Sequence, residues 1–134
     1  MAENAINFEV VTPEKVIFSG NIDSLIVPAA LGYLGVLANH APLVTALEIG
    51  VVTYRQDGKP KKMAISGGFL EVVNNKAVVL AHTAEEGEKI DVSRAQSAKE
   101  RAEKRLSERS ADLDVLRAEL ALKRAISRIK AAGN

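Results

Sequence analysis

Six arginines near the C-terminus are the residues of this sequence best placed to do chemistry together. They form two sets with the same internal spacing, namely Arg94, Arg101 and Arg105, then Arg117, Arg124 and Arg128. At roughly 100° per residue, each set falls within about 40° of one helix face. A guanidinium group suits phosphates and carboxylates alike because its donors form a planar fork. The spacing allows two interpretations: an anion site, or a solvated face with i,i+4 ion pairs such as Glu100–Lys104.

Other reactive residue types are sparse. The chain has no cysteine, which excludes disulfides and thiolate metal sites. His40 and His82 have no acidic cluster at metal-ligand spacing beside them, so loop or core positions are predicted for both. Ser66-Gly67-Gly68 lacks the Lys-Ser/Thr ending of a phosphate-binding loop and is predicted to be a bend. We therefore predict no catalytic residues, no metal site and no self-contained enzyme.

Charge and hydropathy limit the possible partners. The net charge is +1, and the C-terminal third is basic, with interleaved acids and no aromatic residue. Base stacking is therefore unavailable there, and we predict no nucleic-acid partner; the alternative, a basic-helix DNA binder, predicts steeply salt-dependent affinity. The N-terminus MAENAINFEV does not read as a secretory signal. No window approaches the roughly 18 apolar residues of a membrane span, so direct membrane insertion is not expected.

Residues 1–88 read as short strands separated by turns. The apolar runs are INFEV, KVIF, SLIVP, GVL, VVTYR, KMAIS, FLEVV and KAVVLAH. Asp57-Gly58 and Asn74-Asn75 are hairpin signals because Asp, Asn and Gly tolerate positive φ. This pattern predicts an α+β protein that begins with an antiparallel β-sandwich of about ten strands.

Residues 89–134 change to a helical period. Asp91 is a candidate N-cap for a helix that runs to about Ser107, and Ser110 or Asp112 for a second helix. The short connection makes the helices an antiparallel hairpin. Their apolar stripes are Ala95, Ala98, Ala102 and Leu106, then Val115, Ala118, Leu122, Ala125, Ile129 and Ala132. Since alanine buries little apolar area, the hairpin is predicted to dock only lightly.

Four segments together resemble the epsilon subunit of bacterial-type rotary proton-translocating ATP synthases. They are GYLGVLANHAPLVTALEIG, ISGGFLEVVNNKAVVLA, EKIDVSRAQSAKERAEKRL and AELALKRAISR. The resemblance implies a non-catalytic rotor subunit, peripheral at the cytoplasmic face of the cell membrane, which couples the gamma subunit to the c-ring. It places Leu31, Gly32 and Tyr33 toward the c-ring and His40 near gamma.

The same resemblance implies a regulatory role for the hairpin. When docked, the hairpin of some members binds ATP through an Ile/Leu-Asp-x-x-Arg-Ala motif, which IDVSRA matches. The implied nucleotide-binding residues are Glu85, Asp91, Arg94, Ala95, Arg101, Arg124 and Arg128. ATP, with or without Mg²⁺, is then a regulatory ligand, and no other cofactor is required.

When extended, the family hairpin reaches the catalytic head of beta and alpha subunits and blocks ATP hydrolysis. The implied contacts to a carboxylate-rich segment of beta are Lys123, Arg124, Arg128 and Lys130. The alternative hypothesis is a free-standing ATP-binding sensor that belongs to no larger machine. Co-purification with gamma and the catalytic head distinguishes the two.

Overall fold

The computed structural model describes residues 4–133, which form eight β-strands followed by two α-helices. The strands are β1 (Ile6–Val11), β2 (Val16–Ile22), β3 (Ser24–Ala29), β4 (Gly32–Val36), β5 (Leu43–Gln56), β6 (Lys59–Val73), β7 (Lys76–Ala81) and β8 (Ala84–Glu86). A 3₁₀ turn at Gly87–Lys89 leads to α1 (Val92–Glu108) and α2 (Val115–Ala132). The predicted α+β class, a strand domain followed by a helical hairpin, is confirmed.

The described residues form eight strands instead of about ten because two strands are long. In β6, the predicted runs KMAIS and FLEVV continue into one another, and β5 extends the predicted run VVTYR back to Leu43. Gly67 and Gly68 lie inside β6 with φ of +95° and +141°, a backbone region that glycine tolerates. The prediction of a bend at Ser66-Gly67-Gly68 is therefore wrong: the three residues continue one strand, in which the two glycines take an irregular backbone conformation.

The strands pair in the order β2-β1-β7-β6-β5-β3-β4, with β8 added beside β6. All pairs are antiparallel except β1 with β7, which are parallel. The hairpin turns at Asp57-Gly58 and Asn74-Asn75 are confirmed, and all four residues have positive φ. The curled sheet encloses one core, which contains Phe8, Leu25, Val52, Met63 and Leu70.

The middle of β5 and β6 is apolar on both faces. Val52 and Met63 point into the sandwich core, whereas their neighbours Val51 and Ala64 belong to a second buried cluster with Ile90 and Ala131. Strands buried on both faces lose the alternating pattern. The outer face is covered by α2, so the hairpin is docked on the sandwich.

The N-cap predicted from the sequence is correct for α1 but not for α2. Asp91 caps α1, as predicted, and its carboxylate accepts a hydrogen bond from the backbone N–H of Arg94 at 3.0 Å. The prediction of Ser110 or Asp112 for α2 is wrong, since Asp114 is the cap. The carbonyl of Ser110 instead accepts from Leu113 in a turn.

Tyr54 gives the fold a measurable pH dependence. Its ring is 3% exposed and packs on Phe18 with centroids 5.0 Å apart. Burial, with the nearby charges of Glu86 and Glu88, raises the pKa of Tyr54 to about 12 from 10.0. The unfolded chain ionises at the lower value, so the stabilisation is complete below pH 10 and is lost as pH rises toward 12.

We expect Tyr54→Phe to remove part of this alkaline instability. Between pH 9 and pH 11.5 the wild type should lose about 1–2 kcal/mol more unfolding free energy than the variant. Urea unfolding followed by circular dichroism measures the difference. Tyr33→Phe, which removes an exposed phenol, is the control. Equal losses in the wild type and Tyr54→Phe would contradict the assignment.

Candidate functional site

The second helix is buried on two opposite faces, which the sequence stripe did not predict. Ala118 and Ala125 are seven residues apart and share one face, whereas Ser127 and Ala131 lie about 180° around the helix from them. Because α2 lies between α1 and the sheet, two lines of small residues are needed. Of the predicted stripe, Ala118 and Ala125 are buried, whereas Val115 is 37% exposed.

Two close contacts join α2 to the sheet. The buried hydroxyl of Ser127 donates to the carbonyl of Gly50 at 2.7 Å. Four residues later, the backbone of Ala131 lies so close to Gly87 that a Cβ at Gly87 would overlap its carbonyl oxygen. The sequence analysis missed both residues. A serine and an alanine four apart, opposite an alanine line, are the only signal.

A cavity of about 440 Å³ lies where α1, α2 and the sheet meet. The hairpin contributes alanines and two arginines to its wall, Arg124 and Arg128. The sheet contributes Glu85 and the hydroxyl residues Ser66 and Thr83, whose oxygens are 2.5 Å apart. Its volume is in the range of small-molecule sites.

The two arginines of this cavity differ in whether they form an ion pair. Arg128 is held by Glu85 in a two-pronged ion pair, with Nε–Oε1 at 2.8 Å and Nη2–Oε2 at 3.3 Å. Both side chains are about one-third exposed. By contrast, Arg124 makes no ion pair with any described residue, so its guanidinium remains available for an anion.

One face of α1 extends the set of basic residues along the cavity. Asp91, Arg94, Ala98 and Arg101 follow at offsets of three, seven and ten, which a helix places on one side. Ala98 lines the cavity, and the exposed arginines lie one turn before and one turn after it. Neither arginine is in an ion pair within residues 4–133.

The structure therefore brings most, but not all, of the predicted nucleotide residues together. Glu85, Arg124 and Arg128 line the cavity. Asp91, Arg94 and Arg101 lie on the face of α1 that borders it. Ala95 is fully buried and does not line it. The i,i+4 pairing expected for Glu100–Lys104 is wrong, since Lys104 lies 4.0 Å from Glu108.

The residues predicted to meet partners lie mostly on the surface. Leu31 lies in the turn from β3 to β4, Gly32 and Tyr33 begin β4, and all three are exposed. His40 Nδ1 lies 2.7 Å from the carbonyl oxygen of Ala41 in the loop before β5. Lys123, Arg124 and Lys130 are exposed along α2, whereas Arg128 is partly covered.

One surface escaped the sequence analysis. Val44, Phe69 and Leu80 are about half exposed or more on neighbouring strands, with Phe69 opposite Leu80 in the register. Consecutive apolar residues such as Phe69 and Leu70 could have indicated that both faces of β6 are apolar.

No helix within residues 4–133 is long and apolar enough to cross a membrane, and the same residues contain no metal-binding group of His, Asp or Glu.

Comparison with known proteins gives the same family for both parts of the chain. The beta-sandwich domain of the ATP synthase delta/epsilon chain matches residues 5–87, and its long alpha-helix domain matches residues 88–133. An ATP synthase epsilon chain of Desulforamulus reducens is 56% identical over 124 residues, 92% of this chain and 94% of the relative. One from Syntrophomonas wolfei is 53% identical over 133 residues, 98% of this chain and 97% of the relative.

Solved structures contain the same fold. A chain in the cryo-EM structure of the Euglena gracilis mitochondrial ATP synthase, OSCP/F1/c-ring, superimposes with a TM-score of 0.81 at 23% identity. The match covers 97% of this chain and 82% of that one. This likeness concerns the fold. The two domain matches and the relatives above 50% identity show that the chain belongs to the ATP synthase delta/epsilon family, as an epsilon-type, non-catalytic subunit of the central stalk.

Proposed function

We propose that this subunit couples gamma to the c-ring through its sandwich and regulates ATP hydrolysis through its hairpin. The docked hairpin binds ATP, and the extended hairpin inhibits hydrolysis at the catalytic beta and alpha subunits. Residues 1–88 act as the coupling unit and residues 89–134 as the regulatory unit. The observation that carries the regulatory part is the cavity between hairpin and sandwich, with arginines along its wall and rim.

The cavity suits a nucleoside triphosphate in size and charge. Its alanine-rich wall offers apolar contact for a base, and Arg94, Arg101 and Arg124 offer guanidinium groups for phosphates. Arg128 joins them if a phosphate displaces Glu85 from its guanidinium or if Mg²⁺ draws Glu85 away. A nucleotide at 100 times its dissociation constant adds about 2.7 kcal/mol to the docked state. That amount is large compared with the burial of a few alanines.

The proposed partner surfaces consist of residues that are exposed on the sandwich. The turn at Leu31, Gly32 and Tyr33 is proposed to face the c-ring. His40 and the exposed apolar surface of Val44, Phe69 and Leu80 are proposed to face gamma, since a contiguous exposed apolar surface indicates an interaction site. These contacts keep the subunit peripheral, at the cytoplasmic face of the membrane.

We expect Arg124→Ala to weaken ATP binding by at least about tenfold, the effect of losing one charge-assisted phosphate contact. Arg117→Ala is the matched control because it removes the same charge from the same helix, two turns from Arg124, at a residue that does not line the cavity. Calorimetric titration of the full chain, with and without Mg²⁺, measures both. Asp91→Ala and Arg94→Ala should also lose affinity. ATP binding that is equal in Arg124→Ala and Arg117→Ala would place the nucleotide elsewhere.

A further inference from the structure

Two hydroxyl groups on the sheet side of the nucleotide cavity have no role in the function proposed above. Ser66 lies in β6, and Thr83 precedes β8 directly. Both line the cavity, and their oxygens are 2.5 Å apart. Each hydroxyl carries one hydrogen, and the contact between them uses only one of the two. The other hydrogen makes no hydrogen bond with any described residue, so one donor remains for a ligand of the cavity.

The packing of α2 brings Arg124 level with these hydroxyls. Arg128 contacts Glu85 of β8, and the C-terminal end of α2 contacts the 3₁₀ turn that follows β8. The helix and the strand therefore run in the same direction here. Four residues of helix and two residues of strand each span about 6–7 Å. One turn before Arg128, the helix consequently presents Arg124 beside Thr83.

Charges balance at the end of the cavity that holds Glu85. This carboxylate forms its ion pair with Arg128. The start of α1 adds Asp91 and Arg94, which carry opposite charges. Because the two helices form an antiparallel hairpin, the start of α1 lies toward the C-terminal end of α2, on the same side as Glu85. This end therefore has no excess of positive charge that would attract phosphates.

Positive charge is in excess at the hydroxyl end of the cavity. Arg124 lies there, and Arg101 lies about one turn beyond the part of α1 that lines the cavity, in the direction away from Glu85. Among the described lining residues, Glu85 supplies the only carboxylate. Within one helical turn of either arginine the only acids are Glu100 and Glu103, which do not line the cavity. A polyanion is therefore drawn away from Glu85 and toward the hydroxyls.

We propose that Ser66 and Thr83, together with Arg124, bind a phosphate group of the nucleotide. This proposal rests on the nucleotide function proposed above and gives the ligand a direction: the triphosphate lies at the hydroxyl end, and the end at Glu85 is left to the base. One hydroxyl donates to a phosphate oxygen, and the contact with its neighbour holds it in place. A carboxylate at the other end suits a base edge that carries an N–H donor and repels a phosphate.

A double variant, Ser66→Ala/Thr83→Val, tests the proposal because it removes both hydroxyls with little change of shape. Both must be replaced, since a single substitution leaves the remaining hydroxyl free to donate. Calorimetric titration of the full chain with ATP should give an affinity at least about tenfold lower, as expected for a lost hydrogen bond to a charged group. Ser19→Ala/Thr45→Val is the matched control, because it removes the same two groups at positions that do not line the cavity.

Phosphorus NMR of the bound nucleotide distinguishes a phosphate contact from other effects. At saturating ATP, at least one phosphate resonance should shift in the double variant relative to the control. Equal affinities in the two double variants would overturn the proposal. A lower affinity with unchanged phosphate resonances would also overturn it, because the hydroxyls would then act on the base, the ribose or the fold.

The unsubstituted chain and Arg124→Ala show which proposal has failed. If the unsubstituted chain binds no ATP, the nucleotide function is wrong, and the phosphate contact is wrong with it. If ATP binding depends on Arg124 but is the same in the two double variants, the nucleotide function stands and only the hydroxyl contact is refuted.

Discussion

Gly87→Ala is expected to release the hairpin while the sandwich stays folded. A methyl group at this position would overlap the carbonyl oxygen of Ala131 and lie 3.1 Å from the carbonyl oxygen of Lys62. Both neighbours are backbone atoms, so no side chain can rotate away. Such overpacking typically costs about 1–3 kcal/mol, which corresponds to roughly a fivefold to 150-fold loss of docked population.

The remaining docking contacts are too few to absorb that cost. The cluster below α2 consists of Val51, Ala64, Ile90 and Ala131, with Ala132 at its edge. The Ser127–Gly50 hydrogen bond adds about 0.5–1.5 kcal/mol, and the partly exposed ion pair of Arg128 with Glu85 adds about 0–1 kcal/mol. The hairpin should therefore leave the sheet as a unit. The substitution itself changes only one point of contact, the one at Gly87.

Limited trypsin digestion of the isolated chain measures the release. Arg124 and Arg128 should be cleaved roughly five times faster or more in Gly87→Ala, in proportion to the undocked population. Gly35→Ala is the matched control because a methyl group there meets nothing within 4 Å. Cleavage at the wild-type rate would show that Gly87 does not limit docking. A lost β signal in circular dichroism would show a folding defect instead.

In the assembled enzyme, removing Lys123 and Lys130 should raise ATP hydrolysis. Both lysines are exposed on α2 and neither lines the nucleotide cavity. Under the proposed function they attract the acidic segment of beta in the extended state. At about 0.2–1 kcal/mol for each exposed pair, the double alanine variant should lower the inhibited population about twofold to thirtyfold.

This double variant tests attraction to beta without changing the nucleotide cavity. A variant that also changed Arg124 and Arg128 would alter both, because those arginines line the cavity. Asp91→Ala provides the opposite case: it disturbs the ATP site and the α1 cap but keeps every basic side chain of α2. We expect it to be more inhibited, and the lysine variant less. Lys59→Ala/Lys76→Ala removes two exposed lysines from the first positions of β6 and β7 as a control. If both test variants are equally inhibited, the basic face does not hold beta.

Local patterns in the sequence were sufficient to predict the kinds of secondary-structure element and several of their turns and caps. The hairpin turns at Asp57-Gly58 and Asn74-Asn75 follow from residues that tolerate positive φ. The Asp91 cap follows from a short side chain that can reach an unpaired N–H three residues later. The arginine sets at seven and eleven residues follow from helical period alone. Each of these signals lies within one turn or one helix, which is why the chain order reveals it.

Contacts between distant segments required the tertiary structure. Ser127 with Gly50 and Arg128 with Glu85 join positions 77 and 43 residues apart. Nothing in the order of residues states which face of α2 meets the sheet, because both of its faces carry small residues. The parallel pairing of β1 with β7 and the close approach of Ala131 to Gly87 likewise depend on how the sheet curls. The arginines could be recognised as a set from their spacing, but the cavity that makes a site of them exists only because the hairpin is docked.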